Sequence, residues 1–193
     1  YCAPTKDAIL TCPPTFAMYD IEAKIHDVEN IKIDRTGLNF DSLNLLEIEK
    51  TLEQSPVKIT FICNPGNPSS TSVNKADIEA LINLCRDKCL LVIDEAYIDF
   101  AAHTSYAEYI DSQPHVVVLR TLSKTYGLAG LRCGSTLAQP EVLEYISRII
   151  APYPVPRSTY TIAQQALNPE RQLRMQQHRD DIEQQRVIML REL

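Results

Sequence analysis

The stretch LLVIDEAYIDF, residues 90–100, decides how this chain folds. Four consecutive aliphatic residues suit a strand buried on both faces, and the acidic pair Asp94–Glu95 marks where that strand leaves the core. A carboxylate is not kept ionised at a core boundary without a partner, because its desolvation is costly. The stretch therefore asks for a cation beyond a strand end. Working outward, DAILTC (7–12), VKITFIC (57–63) and HVVVLR (115–120) have the same aliphatic character, and IKIDR (31–35) and CGSTLA (133–138) are further strand candidates. Helical spacing fills the intervals: TFAMYDIEAKIH (15–26), DSLNLLEIEKTLEQ (41–54) behind a possible Asp41 cap, NKADIEALINLCRDK (74–88) capped by Asn74, and PEVLEYISRII (140–150) with Pro140 in its first turn. Alternating strands and helices predict an α/β protein, with a mainly parallel sheet between helices.

The 193 residues are enough for one good-sized core, and 45% hydrophobic with 23% charged residues is a globular profile. The net charge of −6 and the absence of any Lys/Arg cluster argue against nucleic acid or an anionic membrane as a partner. No apolar run is long enough to span a bilayer, and no signal peptide is visible. The chain opens without methionine and stops inside a helical pattern, so a longer protein is expected. The six cysteines include no C-x-x-C pair, and several sit in aliphatic runs, which suits reduced thiols in a cytoplasmic or organelle-matrix protein. The four histidines are scattered, so no metal is expected.

In an open α/β sheet, ligands bind beyond the carboxyl ends of the strands. Three such ends carry suggestive residues: NPGNP (64–68), DEAY (94–97) and TLSKTYGLAGLRCG (121–134). Singly, each has an ordinary reading as a turn, a helix cap or solvated surface; together at one edge they suggest a ligand. A strand ending in Asp-Glu resembles the Mg²⁺-binding strand of nucleoside-triphosphate enzymes, but the G-x-x-x-x-G-K-[ST] loop is absent, as is G-x-G-x-x-G. Pyridoxal phosphate fits better. Its ring nitrogen needs a carboxylate to stay protonated, its aldehyde a lysine, and its phosphate an arginine with hydroxyls. Asp94, Lys124 and Arg132 with Ser123 supply that set. At ~4 Å and an effective dielectric near 20, a carboxylate–pyridinium pair gains about 4 kcal/mol.

The series NPGNP, DEAY, TLSKTYGLAGLRCG resembles the fold-type I, class I/II aminotransferases, with the motifs in that family's order. CPPTFAMY (12–19) and IAPYP (150–154) make it similar to the histidinol-phosphate aminotransferases among them. The pattern S-K-x-x-x-L-x-G-x-R, with its lysine 30 residues beyond Asp94, is the most specific part. The resemblance implies transfer of an amino group between histidinol phosphate and 2-oxoglutarate with pyridoxal 5'-phosphate as cofactor. A related aromatic aminotransferase, a phospho-amino-acid decarboxylase or a catalytically silent fragment are the alternatives. It implies that Lys124 carries the cofactor and shuttles a proton, and that Asp94 holds the ring nitrogen. Asn67 and Tyr97 would donate to the phenolic oxygen. Thr121, Ser123 and Arg132 would grip the phosphate. Phe16, where the family typically has tyrosine, would stack on the ring, a mild change because stacking needs only an aromatic face. Glu95 reads as structural or as a helix-start charge.

The family comparison also implies that residues 1–150 are part of a large cofactor-binding domain, and that 151–193 are a Pro-rich connector (APYPVPR, 151–157) and helices leading to a small C-terminal domain. A homodimer sharing its active sites is implied too. One departure is local: the family's usual NNPTG is GNPSS (66–70) here, which keeps Asn67 but alters the turn around it. Upstream, a phosphate-cradling helix start is expected outside these residues, and downstream an arginine for the substrate carboxylate. Arg157, Arg171 and Arg174 are no evident substitute for it.

Overall fold

In a computed structural model describing residues 2–192, the aliphatic runs form one sheet. Residues 1 and 193, the outer ends of the two expected segments, lie outside the described residues. The strands are β1 (Ala8–Thr11), β2 (Glu29–Lys32), β3 (Val57–Cys63), β4 (Leu90–Asp94), β5 (Val116–Thr121) and β6 (Gly134–Leu137), in the spatial order β2-β1-β3-β4-β5-β6. The first five are mutually parallel, and only β6 runs antiparallel, against β5. The register sets Cys63 beside Asp94, Asp94 beside Leu119, and Thr121 beside Gly134. The ends of β3, β4 and β5 and the start of β6 therefore share one edge.

Side chains two apart on a strand face the same way, and the core divides accordingly. Ala8, Leu10, Ile62, Leu91, Ile93, Val116 and Val118 enter one cluster with Ile48 and Leu52 of α2 (Leu45–Gln54) and Ile78, Leu81 and Ile82 of α3 (Lys75–Cys85). Ile9, Cys63, Ile59 and Phe61 face the other way, onto Tyr19 and Ala23 of α1 (Met18–Ile25). Helices thus cover both faces, as parallel strands require. Beyond β6 come α4 (Pro140–Ser147), α5 (Arg157–Ala166) and the long α6 (Pro169–Glu192). No helix among the described residues is long and apolar enough to cross a membrane.

Three local readings need correction. The cap of α2 is Asn44, whose side chain accepts from the Glu47 amide, while the Glu47 carboxylate takes the Asn44 side-chain amide; Asp41 lies too far upstream. Strand β2 starts at Glu29, two residues earlier than its apolar pattern suggests, because an edge strand tolerates polar residues. The connection from β4 to β5 holds only two short 3-10 turns, Ile98–Phe100 and Tyr106–Tyr109, and no helix begins at Glu95.

Candidate active site

The segment after β4 shows how one acidic pair divides into two tasks. Asp94 is half-buried, with Oδ1 accepting the Ala96 amide at 3.0 Å and Oδ2 accepting the Tyr19 hydroxyl at 2.6 Å. Glu95 is 1% exposed. Its Oε1 accepts the Tyr106 amide and its Oε2 the Ser105 hydroxyl, both at 2.6 Å, and Arg120 Nε lies 3.0 Å from Oε2. Burial pushes the Glu95 carboxyl above its ordinary range, against the pull of these donors. Glu95 thereby ties the loop before the second 3-10 turn to β5, a structural task. Glu95→Ala is expected to cost about 3 kcal/mol of folding stability, since two buried donors lose their acceptor. Asp99→Ala, which removes only a 3.8 Å contact to Arg120, should cost less than about 1 kcal/mol. Urea unfolding of the two variants checks this.

The other residues singled out in the sequence gather at the same edge. Lys124 follows β5, and its Nζ sits 5.1 Å from the centroid of the Tyr97 ring. Asn67 and Tyr97 both line a cavity of about 370 Å³, walled also by Phe100, Ala101 and, from α6, Ile182 and Arg186. Thr121 closes β5, and its hydroxyl accepts the Ser123 amide at 3.1 Å and lies 2.9 Å from the Ser123 hydroxyl. Arg132 follows a 3-10 turn, Ala129–Leu131, two residues before β6, with φ of +53°, the left-handed region. That conformation costs an L-residue on the order of 1 kcal/mol, a cost that recurs where a side chain is wanted at one place. Among the described residues its exposed guanidinium donates to the Ala129 carbonyl alone, at 3.1 Å. Phe16, in the loop after β1, is 40% exposed and meets Tyr19 edge-on at 5.7 Å. A second cavity of about 450 Å³, lined by Arg171, Arg174 and His178 with Thr125 and Tyr126, includes neither Lys124 nor Asp94.

Two residues at this edge escaped the sequence reading. Tyr19 touches Asp94 directly. Arg35 is 4% exposed and donates from Nε to the Cys12 carbonyl at 3.2 Å and from Nη2 to the Cys63 carbonyl at 2.6 Å. It clasps the ends of β1 and β3, from which Phe16 and Asn67 hang. A side-chain carbon at Gly66 would press on the Ser69 hydroxyl, come within 2.9 Å of Arg35 Nη1 and lie 3.2 Å from the Thr71 carbonyl, so glycine suits the close approach there. Tyr19 stands inside the quoted CPPTFAMY motif and could have been noticed there. Backbone carbonyl acceptors leave no trace in a sequence, so nothing announced Arg35.

The mainly parallel sheet thus presents a carboxylate, a lysine, an arginine and two hydroxyls at one edge, with the aromatic rings of Phe16 and Tyr97 beside them. The chain belongs to the aminotransferase class I and II family, whose description matches residues 1–193. Within that family it is 46% identical over 168 residues to the histidinol-phosphate aminotransferase of Photobacterium profundum, covering 87% of this chain and 44% of that protein. With the enzyme of the same name from Pseudoalteromonas atlantica it shares 43% identity over 190 residues, 98% of this chain and 50% of the other. The chain thus spans about half the length of the curated relatives it matches. Among solved structures, the histidinol-phosphate aminotransferase of Sinorhizobium meliloti in complex with pyridoxal-5'-phosphate superposes with a TM-score of 0.82 at 22% identity, over 92% of this chain and 48% of that one. At that identity the likeness speaks for the fold alone.

Proposed function

We propose that these residues are the cofactor-binding part of a pyridoxal-phosphate-dependent aminotransferase acting on histidinol phosphate and 2-oxoglutarate, a step of histidine biosynthesis. The observation that carries the proposal is the single sheet edge bearing Asp94, Tyr97, Lys124 and Arg132; the substrate assignment draws on the two relatives above. The donor set suits the cofactor group by group. When bound, pyridoxal phosphate supplies a protonated pyridine ring conjugated to an aldehyde that condenses with amines. In this reading Asp94 holds the proton at the ring nitrogen. Lys124 would hold the cofactor through its aldehyde, and its amine would take and return the proton at the substrate Cα. Tyr97 and Asn67 would donate to the phenolic oxygen, Thr121, Ser123 and Arg132 would bind the phosphate, and Phe16 would offer its face to the ring. Residues 1–150 act as part of the cofactor-binding domain and 151–193 as the connector towards a substrate-binding domain. A cytoplasmic homodimer belongs to the same proposal.

The test is an assay of the protein expressed with all of its flanking sequence. Histidinol phosphate and 2-oxoglutarate should yield glutamate, with kcat/KM at least about a hundredfold above that for phenylalanine or tyrosine, since a site built for a phosphate loses a charge-assisted clamp without it. Equal or better use of an aromatic amino acid would reassign the substrate, and release of CO₂ from a phospho-amino acid would reassign the reaction.

A further inference from the structure

Tyr19 lies 75 residues from Asp94 in sequence, yet its hydroxyl is 2.6 Å from Asp94 Oδ2. The phenol is 9% exposed and held on two sides, stacked on Phe61 at 4.8 Å and 17° and edge-on to Phe16. Packing alone would be served by phenylalanine. The hydroxyl is what needs explaining, and the Asp94 carboxylate is its acceptor. Its helix is fastened as well. Asp20, the next residue, accepts from Asn30 at 2.9 Å and pairs with Lys32 of β2 and Lys24, each at 2.7 Å, while Asn30 accepts from Thr11 of β1 at 2.9 Å. The first turn of α1 is thereby locked to two strands, and Tyr19 with it.

We infer that Tyr19 is a positioning residue that keeps the Asp94 carboxylate oriented towards a bound ligand's ring nitrogen, so that the proton the two share stays on that nitrogen. This rests on the function proposed above. A hydrogen bond to a carboxylate is stronger than the same bond to a neutral carboxyl, so the Tyr19 donor disfavours the alternative in which the proton sits on Asp94 and the ring is neutral. The two groups that face the phenol leave it no other role. Burial, and then the Asp94 charge, push the Tyr19 phenol far up, and burial pushes the Cys63 thiol to about 11. Tyr19 therefore remains an O–H donor throughout the working pH range. With the Ala96 amide on Oδ1 and Tyr19 on Oδ2, each carboxylate oxygen retains a free lone pair for the ligand.

The experiment uses the full protein loaded with pyridoxal phosphate labelled with ¹⁵N in the ring. Tyr19→Phe keeps both aromatic contacts and removes one oxygen. Its ring-nitrogen signal should move from the pyridinium position towards that of neutral pyridine, between wild type and Asp94→Ala. The kcat should fall about tenfold, with KM for the amino donor within about twofold. Cofactor methylated on the ring nitrogen, whose charge does not depend on Asp94, should erase the difference between wild type and Tyr19→Phe. Placing p-aminophenylalanine at position 19 restores a donor on the same ring and should return the signal. An unchanged ¹⁵N signal in Tyr19→Phe, or a rate deficit that persists with the methylated cofactor, would reduce Tyr19 to a packing residue and leave the proposed function standing. A wild-type protein that takes up no cofactor, or shows a neutral ring, would overturn the functional reading and this inference together.

Discussion

Lys124→Ala should lower amino transfer by about ten-thousandfold, the upper end of what a positioned proton-transfer group contributes. Lys124 is the lysine that follows β5 at the shared edge, and its Nζ lies over the Tyr97 ring with no carboxylate paired to it in the described structure. Lys32, at the end of β2, is committed to Asp20 at 2.7 Å, while Lys75 at the start of α3 and Lys88 in the turn after it lie beside Glu79 and Glu53. Lys124→Arg should not rescue the rate, because a guanidinium stays protonated and can neither condense with an aldehyde nor accept a proton from carbon. Lys75→Ala and Lys88→Ala should leave turnover within about twofold, since their partners are solvent-exposed ion pairs. Steady-state glutamate formation separates these outcomes. A Lys124→Ala enzyme with more than a tenth of wild-type activity would remove Lys124 from the chemistry.

Asp94→Ala should cost nearly as much, by a different route. The pairing of carboxylate and ring nitrogen at about 4 kcal/mol corresponds to roughly a thousandfold in protonation, and turnover should fall by that order. Cofactor should still be retained through the phosphate contacts and Lys124. The N-methylated cofactor should restore part of the loss, because its charge no longer needs a carboxylate. Asp99→Ala is the control, and its rate should stay within about threefold of wild type, its one ionic contact being long and weak. Normal turnover in Asp94→Ala would remove the reason for placing a carboxylate at the end of β4.

The sheet was legible because LLVI (90–93) and VVVL (116–119) are unbroken aliphatic runs and VKITFIC (57–63) is mostly apolar, as strands buried on both faces require. The α3 cap at Asn74 was legible too, its side chain accepting the Asp77 amide at 2.9 Å. Asn44 was passed over for Asp41 because both are capping types, and only the chain path between Gly37 and Leu45 decides between them. The 3-10 turns after β4 were hidden for a related reason. Ser105, Tyr106 and Arg120 are drawn together by Glu95, and a buried carboxylate gathering distant donors has no local signature. The same division holds at the candidate site. Asp94, Lys124 and Arg132 stand at strand ends, where residue type and position speak together. Tyr19 and Arg35 act through partners 75 and 23 to 28 residues away, and contacts of that range exist only once the sheet has formed. Glu95 shows the limit of composition as a guide, since the stretch that raised the question holds two adjacent carboxylates, one turned to the open edge and one closed inside.

Reductive trapping asks outright whether Lys124 is the covalent anchor for pyridoxal phosphate. The full protein, incubated with pyridoxal phosphate and reduced with borohydride, should lose its visible absorbance and carry one cofactor per chain. Digestion and mass spectrometry should find that cofactor on the peptide containing TLSKTYGLAGLR, at Lys124. Label on Lys32, Lys75, Lys88 or another lysine, or no label at all in a folded protein, would contradict the account.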